Sequence, residues 1–150
     1  MISQNSYINM EDVRQYLQML QDIINRMAAN SSNCKTWAIT LFTAMVALMI
    51  SVEGMRQWLW IILVPILLFY YLDAYYLGLE NDFRNLEASF IKQLRDQTDC
   101  SATVYDFNIT NADGYKKWKN LKKGLCSNAT WPMYLTLAAI SITLCIVYAN

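Results

Sequence analysis

Histidine is missing from this chain altogether. Its absence removes the commonest general base and metal ligand at neutral pH, and with it every Ser–His or Cys–His nucleophile. Cysteine is sparse. Cys34, Cys100, Cys126 and Cys145 are too far apart for a CxxC site, so they read as four reduced thiols. Glycine is scarce, with four residues, and none forms a phosphate-cradling loop. Net charge is zero, which gives no nucleic-acid footprint. The polar start of the chain has no early apolar run of the signal-peptide kind. These absences lead us to expect no enzyme, no cofactor, no metal site and no direct nucleic-acid partner.

Apolar residues make up 55% of the sequence, and the mean hydropathy is +0.17, high for a protein that dissolves in water. Three runs qualify as membrane spans: 36–52, 58–79 and 131–149. At about 1.5 Å per residue they measure roughly 25 to 33 Å, against a hydrocarbon core of about 30 Å. Each has tryptophan near an end, as an interfacial anchor should. A soluble bundle with three such helices would have too little polar surface left to cover them. The expectation is an all-α, multi-pass membrane protein forming a single membrane domain over 1–150. Residues 9–35 would be the cytoplasmic part of a long first helix, and residues 80–130 a small cytoplasmic insertion between spans two and three.

Basic residues set the orientation. Arg14, Arg26 and Lys35 precede the first span, and Arg56 alone separates the first and second. Arg84, Lys92, Arg95, Lys116, Lys117, Lys119, Lys122 and Lys123 lie between the second and third, and none follows. An eleven-to-one asymmetry predicts a cytoplasmic N-terminus and a periplasmic C-terminus in a bacterial inner membrane. The link around Gly54 then becomes a tight external turn.

Ahead of the first span, apolar residues fall at Met10, Val13, Leu17, Leu20, Ile24 and Met27, an a/d heptad seam. The register continues through Ser31, Cys34, Ala38, Leu41, Met45 and Leu48. No proline or glycine interrupts residues 8–53, so the pattern predicts one helix of about 40 residues starting near Asn9, which can cap it. The seam needs a partner. One candidate is another helix of the same chain, the segment holding Phe83, Leu86, Phe90, Ile91 and Leu94. The other is a neighbouring subunit, with Val13, Leu17, Leu20, Ile24 and Met27 as an assembly seam.

Where this helix meets the membrane it carries a polar collar, Asn30 to Asn33. Facing inward in a ring of subunits, Asn30, Ser31 and Asn33 would form a wet constriction; in a monomer they are an interfacial stretch. Asp73, near the cytoplasmic end of the second span, is the one acid at membrane depth, costly there and a functional candidate. Either it pairs with Lys35 or Arg26, or it lines a pore. Pro65 is expected to kink the second span. In the insertion, residues 103–110 alternate with Tyr105, Phe107 and Ile109 on one face and read as a short strand or extended segment. Residues 111–114 read as a turn. A lysine-rich stretch with Trp118 follows and suits anionic headgroups beside a membrane.

The chain resembles the RipA-like octameric membrane proteins, a family of small bacterial inner-membrane proteins. The resemblance rests on Arg26, Met27, Asn30 and Ser31, then Lys35, Trp37, Thr40 and Leu41. It continues through Leu72–Leu77, Glu80, Phe83 and Arg84, residues 106–110, Trp118 and residues 127–134. The resemblance implies a homo-oligomeric ring of about eight subunits. It is similar in plan to the membrane-pore accessory proteins of RNA-targeting CRISPR systems, which implies a role in antiviral defence. The ribonuclease-type motif of those proteins needs histidine and has no counterpart here. The expected function is thus an oligomeric membrane pore or membrane-perturbing protein. The alternative is a non-conducting scaffold whose cytoplasmic insertion binds a partner protein of the defence system.

Overall fold

A computed structural model describes residues 9–52, 54–96, 103–111 and 117–149. Four α-helices carry the chain: α1 (Met10–Ser51), α2 (Leu63–Arg95), α3 (Lys117–Leu125) and α4 (Trp131–Ala149). Two 3-10 segments, Arg56–Ile62 and Ile109–Asn111, join them. Three of the helical stretches are long and apolar enough to cross a membrane.

α1 is a single 42-residue helix, about 63 Å long at 1.5 Å per residue. Asn9 caps it, its side chain accepting from the Glu11 N–H at 3.1 Å, and Glu11 and Asp12 sit at the positive end of the dipole. The helix stops at Val52. Gly54 then turns the chain with φ +89°, a left-handed conformation that a side chain would resist. α2 returns antiparallel, so that Tyr16 meets Phe90 near one end while Ser31 meets Asp73 further along.

Pro65 sits where the second span passes from its 3-10 segment into α2. It is the third residue of that helix, directly after the 3-10 segment, where its missing N–H has no intrahelical partner to lose. Residues 103–110 do not form a strand: among the described residues there is none. Residues 103–105 turn, with Tyr105 at φ 66°, and Ile109–Asn111 are 3-10. The left-handed Tyr105 breaks the extended alternation, and no second strand among the described residues receives its backbone bonds. Residues 112–114 of the expected turn, and Cys100, lie outside the described residues.

The α1 seam is filled by the same chain. Val13, Tyr16 and Leu20 bury against Leu86 and Phe90, with Leu17, Phe83 and Leu94 at the edge. Ile24 is also buried and Met27 half-buried. Val13 and Leu20 therefore help hold the hairpin together. Ile91 is exposed and lies off this face. Further along, the inward line runs Ser31, Cys34, Ala38, Phe42, Met45 and Met49, while Leu41 and Leu48 are exposed. From Val13 to Met49 the inward residues advance by 36 positions in ten steps, 3.6 per step. A strict heptad advances 3.5 per step, and over several turns the difference moves the buried face off the a/d register. The buried face of α1 thus follows the 3.6-residue period of an ordinary amphipathic helix.

A second core surrounds the membrane-level crossing, where Ala38, Leu59, Ile62, Ile66, Tyr134 and Leu137 bring together α1, the 3-10 segment, α2 and α4. The first core is checked by Leu20→Ala. Leu20 is fully buried, so the truncation is expected to cost about 3 kcal/mol. Unfolding in detergent followed by circular dichroism measures it, and a cost below about 1 kcal/mol would place the seam outside the chain's own core.

Candidate functional site: a polar knot between three helices

The end of the first span carries a cluster of polar side chains, and helix period puts them there. Ser31 and Lys35 are four residues apart on the inward face of α1, so both point at α2. Facing them is Asp73, with none of its surface exposed. Lys35 Nζ donates to Asp73 Oδ1 at 2.8 Å and lies 2.8 Å from Oδ2. The ammonium also donates to Ser31 Oγ at 3.1 Å, and Ser31 Oγ in turn donates to Asp73 Oδ1. The serine relays the ammonium's polarity to the carboxylate. Lys35 keeps about a quarter of its side chain exposed, its stem lying along apolar surface with the head reaching inward.

α4 closes the knot. Tyr134 is buried, and its hydroxyl approaches the Asp73 carboxylate and the Cys34 thiol without meeting hydrogen-bond geometry. Thr130, in the turn just before α4, is also fully buried, and its hydroxyl has no hydrogen-bond partner. Asp73 Oδ2 has the ammonium beside it but no hydrogen bond of good geometry. The knot is a buried ion pair with spare polar capacity around it.

Of the residues proposed from sequence, Asp73, Lys35 and Ser31 come together. Arg26 is exposed on α1 and forms no ion pair among the described residues. Asn30 is half-buried and Asn33 exposed, so neither joins the knot. Ser31 and Asp73 both face the chain's own interior. Cys34, Thr130 and Tyr134 were not assigned to a site from the sequence.

The opposite face of α1 is a second feature. Asn33, Thr36, Thr40, Ala44, Ala47 and Ser51 recur every three or four residues and all are exposed, as is Thr43 beside them. This stripe is diametrically opposite the inward line. Trp37, Leu41 and Leu48 flank it on one side and Ile39 on the other. Thr36, Thr40, Thr43 and Ser51 each donate their hydroxyl to the carbonyl four residues back, at 2.7 to 3.3 Å. The hydroxyls are thus satisfied on the helix, with acceptor lone pairs left for water or another helix.

Outside the spans, two tethers fix the insertion. The Tyr16 hydroxyl donates to the Asp106 carbonyl, and burial, then the Asp106 charge, pushes its phenol up to about 12. Asn120 of α3 donates to buried Asp82 of α2; burial raises the Asp82 carboxyl, and that hydrogen bond partly offsets the rise. Cys34, Cys126 and Cys145 are free thiols, and no group of His, Cys, Asp and Glu among the described residues could hold a metal. No family model, curated protein or solved structure matches the chain.

Proposed function

We propose that this protein is a homo-oligomeric membrane pore whose lumen is lined by the outer stripe of α1. The observation that carries the reading is that stripe. An exposed row of hydroxyls and small residues runs the length of a span, turned away from every other helix of its own chain. Lipid gives no reason to select such a row. A water-filled axis does, because the free lone pairs can solvate permeant ions. In a ring, the bulky residues flanking the stripe meet the neighbouring subunits, and α4, with Leu135, Ile140, Ile142, Ile146 and Val147 exposed, faces lipid.

In this reading the knot is scaffold. It fixes the rotation of α1 about its axis, and rotation decides which face the stripe presents. The pore would sit in a bacterial inner membrane with the N-terminus cytoplasmic. The resemblance to RipA-like proteins supports a ring of about eight and a membrane-perturbing role in antiviral defence.

The test is ion flux through the purified full chain in liposomes. Thr40→Trp is expected to lower flux at least about tenfold with oligomer mass unchanged, because the indole fills the axis. Thr40→Val keeps the volume and removes the lone pairs; a drop in flux with it too assigns the hydroxyl to the lumen. If Thr40→Val conducts as wild type while Thr40→Trp dissociates the oligomer, the stripe is a subunit contact, since small residues also let helices approach closely. A wild-type oligomer without flux leaves the scaffold reading, in which the cytoplasmic insertion binds a partner protein.

A further inference from the structure

α3 packs antiparallel along α2: Leu125 is opposite Tyr70, Gly124 opposite Ala74, and Asn120 opposite Gly78 and Asp82. The Tyr70 hydroxyl donates to the Leu125 carbonyl at 2.8 Å. The packing leaves a hollow. Between α2, α3 and the Ile109–Asn111 segment lies a cavity of about 280 Å³, whose walls include Tyr71, Tyr75, Leu79, Asp82, Ile109 and Leu121. Tyr71, Tyr75, Leu79 and Asp82 follow one another at three- and four-residue steps, so they form one stripe of α2. At 1.5 Å per residue that stripe is about 16 Å long. The hollow is polarised along its length. At one end stand two exposed phenol rings, on residues of the expected second span, and at the other Asp82, beyond that span. The walls between are aliphatic.

Asp82 is the charged residue of this lining, and it is 6% exposed. Among the described residues its one hydrogen bond comes from the neutral amide of Asn120, to Oδ1. No lysine or arginine among the described residues lies within ion-pair distance of it. Burial of a carboxylate without a cation is costly, and here burial raises the carboxyl. Asp73 in the knot has Lys35 to offset that cost; Asp82 has no such neighbour. We propose that the cavity binds a small amphiphilic amine, its ammonium on Asp82 Oδ2 and its apolar body along Leu79, Ile109, Leu121 and the phenol rings. Charge complementarity selects the occupant. Asp82 repels an anion, and a neutral apolar molecule leaves the carboxylate unpaired. A metal ion needs several oxygen ligands, and no such group is gathered among the described residues. The direction of the hollow separates a free amine from the lysine of a partner protein. A lysine reaching in from the water side leads with its ammonium and would carry it past Asp82 to the phenol end. An amphiphile at a membrane surface keeps its apolar body toward the lipid and its charge toward water, which is the order of the walls here.

Isothermal titration calorimetry of the full chain in maltoside detergent, blanked against detergent alone, tests this with phenethylamine, phenethyl alcohol and phenylacetate. The three are close in size, and at neutral pH the first alone is a cation. Wild type is expected to bind the amine at least about tenfold more tightly than the alcohol, the scale of a hydrogen bond to a charged group, and to reject the anion. Asp82→Asn keeps an acceptor for Asn120 and should erase the amine's advantage. Leu121→Trp, which fills the hollow, should weaken the amine with Asp82 still in place. Circular dichroism establishes that each variant is folded; if Asp82→Asn is not, the amine-to-alcohol ratio of wild type and Leu121→Trp decide. Equal binding of amine and alcohol by wild type overturns the proposal, as does an absence of binding or an amine advantage that survives in Asp82→Asn. Displacement of the amine by millimolar magnesium would make the cavity a metal site. N-acetyl-lysine amide binding as tightly as the amine would make it a socket for a partner's lysine. Either of these results also overturns the proposal.

Discussion

Lys35→Met is expected to cost the fold about 3 to 5 kcal/mol, because it leaves Asp73 charged, fully buried and alone. Lys35 Nζ is the only cation within ion-pair distance of Asp73 among the described residues. Asp73→Asn removes the other partner and should cost less, about 1 to 2 kcal/mol. The stranded lysine is partly exposed and can swing its head to the headgroups, and the asparagine can still accept from Ser31. A double variant, Lys35→Met with Asp73→Leu, should recover most of the loss, since two well-packed apolar residues avoid both desolvation penalties. The expected order of stability in detergent is wild type and the double variant together, then Asp73→Asn, then Lys35→Met. Costs that simply add in the double variant would mean that the two side chains are not coupled.

That ordering could not be reached from the sequence, although the pairing could. Asp73 and Lys35 both fall near the same side of the expected spans, so depth alone pairs them. Arg26 was an equal candidate on charge. It loses because α1 is continuous, and Arg26 is nine residues from Lys35, two and a half turns nearer the N-terminus and exposed. The burial difference between the partners depends on α4, which covers Asp73 with Tyr134. α4 reads in sequence as a uniformly apolar span, and nothing in such a run marks which turn meets a carboxylate.

The length of α1 was legible because proline and glycine are absent from it, and its N-cap because Asn9 precedes two acids. Its seam was legible too, but not its partner. Seam residues look the same whether the facing helix comes from this chain or another, and only the tertiary fold packs Val13 and Leu20 against α2. The collar divides between two faces for a related reason. Asn30 to Asn33 were read together, yet adjacent residues on a helix are about 100° apart. Ser31 turns in to the ion pair and Asn33 turns out to the stripe. Read at helical spacing, Asn33 through Ser51 was visible in the sequence all along, hidden by the stronger apolar signal on either side. Residues 103–110 alternate without forming a strand, because no second strand among the described residues pairs with them.

Gly124→Ala and Gly78→Ala are expected to have effects of opposite sign, although both glycines lie in helices at the same interface. A Cβ on Gly78 would lie 3.5 Å from the nearest atom, the Asn120 carbonyl oxygen, which is ordinary contact. Alanine there gains roughly 1 kcal/mol of helix propensity and should be neutral or stabilising. A Cβ on Gly124 would lie 2.4 Å from the Ala74 carbonyl oxygen and 3.2 Å from its carbon. Those are backbone atoms of a packed helix and cannot step aside, so α3 must lift away. Overpacking of this kind costs about 1 to 3 kcal/mol before any bond is lost. Lifting α3 also breaks the Tyr70–Leu125 and Asp82–Asn120 hydrogen bonds, and each buried group left unsatisfied adds about 1 to 3 kcal/mol. The loss outweighs the propensity gain and stays local, because the α1–α2 cores do not involve α3. Amide exchange over 117–125 measures it. Gly124→Ala should exchange there at least about tenfold faster than wild type while α1 is unchanged, and Gly78→Ala should not. Equal exchange in the two variants would mean that α3 is not held against Ala74, and the cavity wall that Leu121 supplies would fall with that contact.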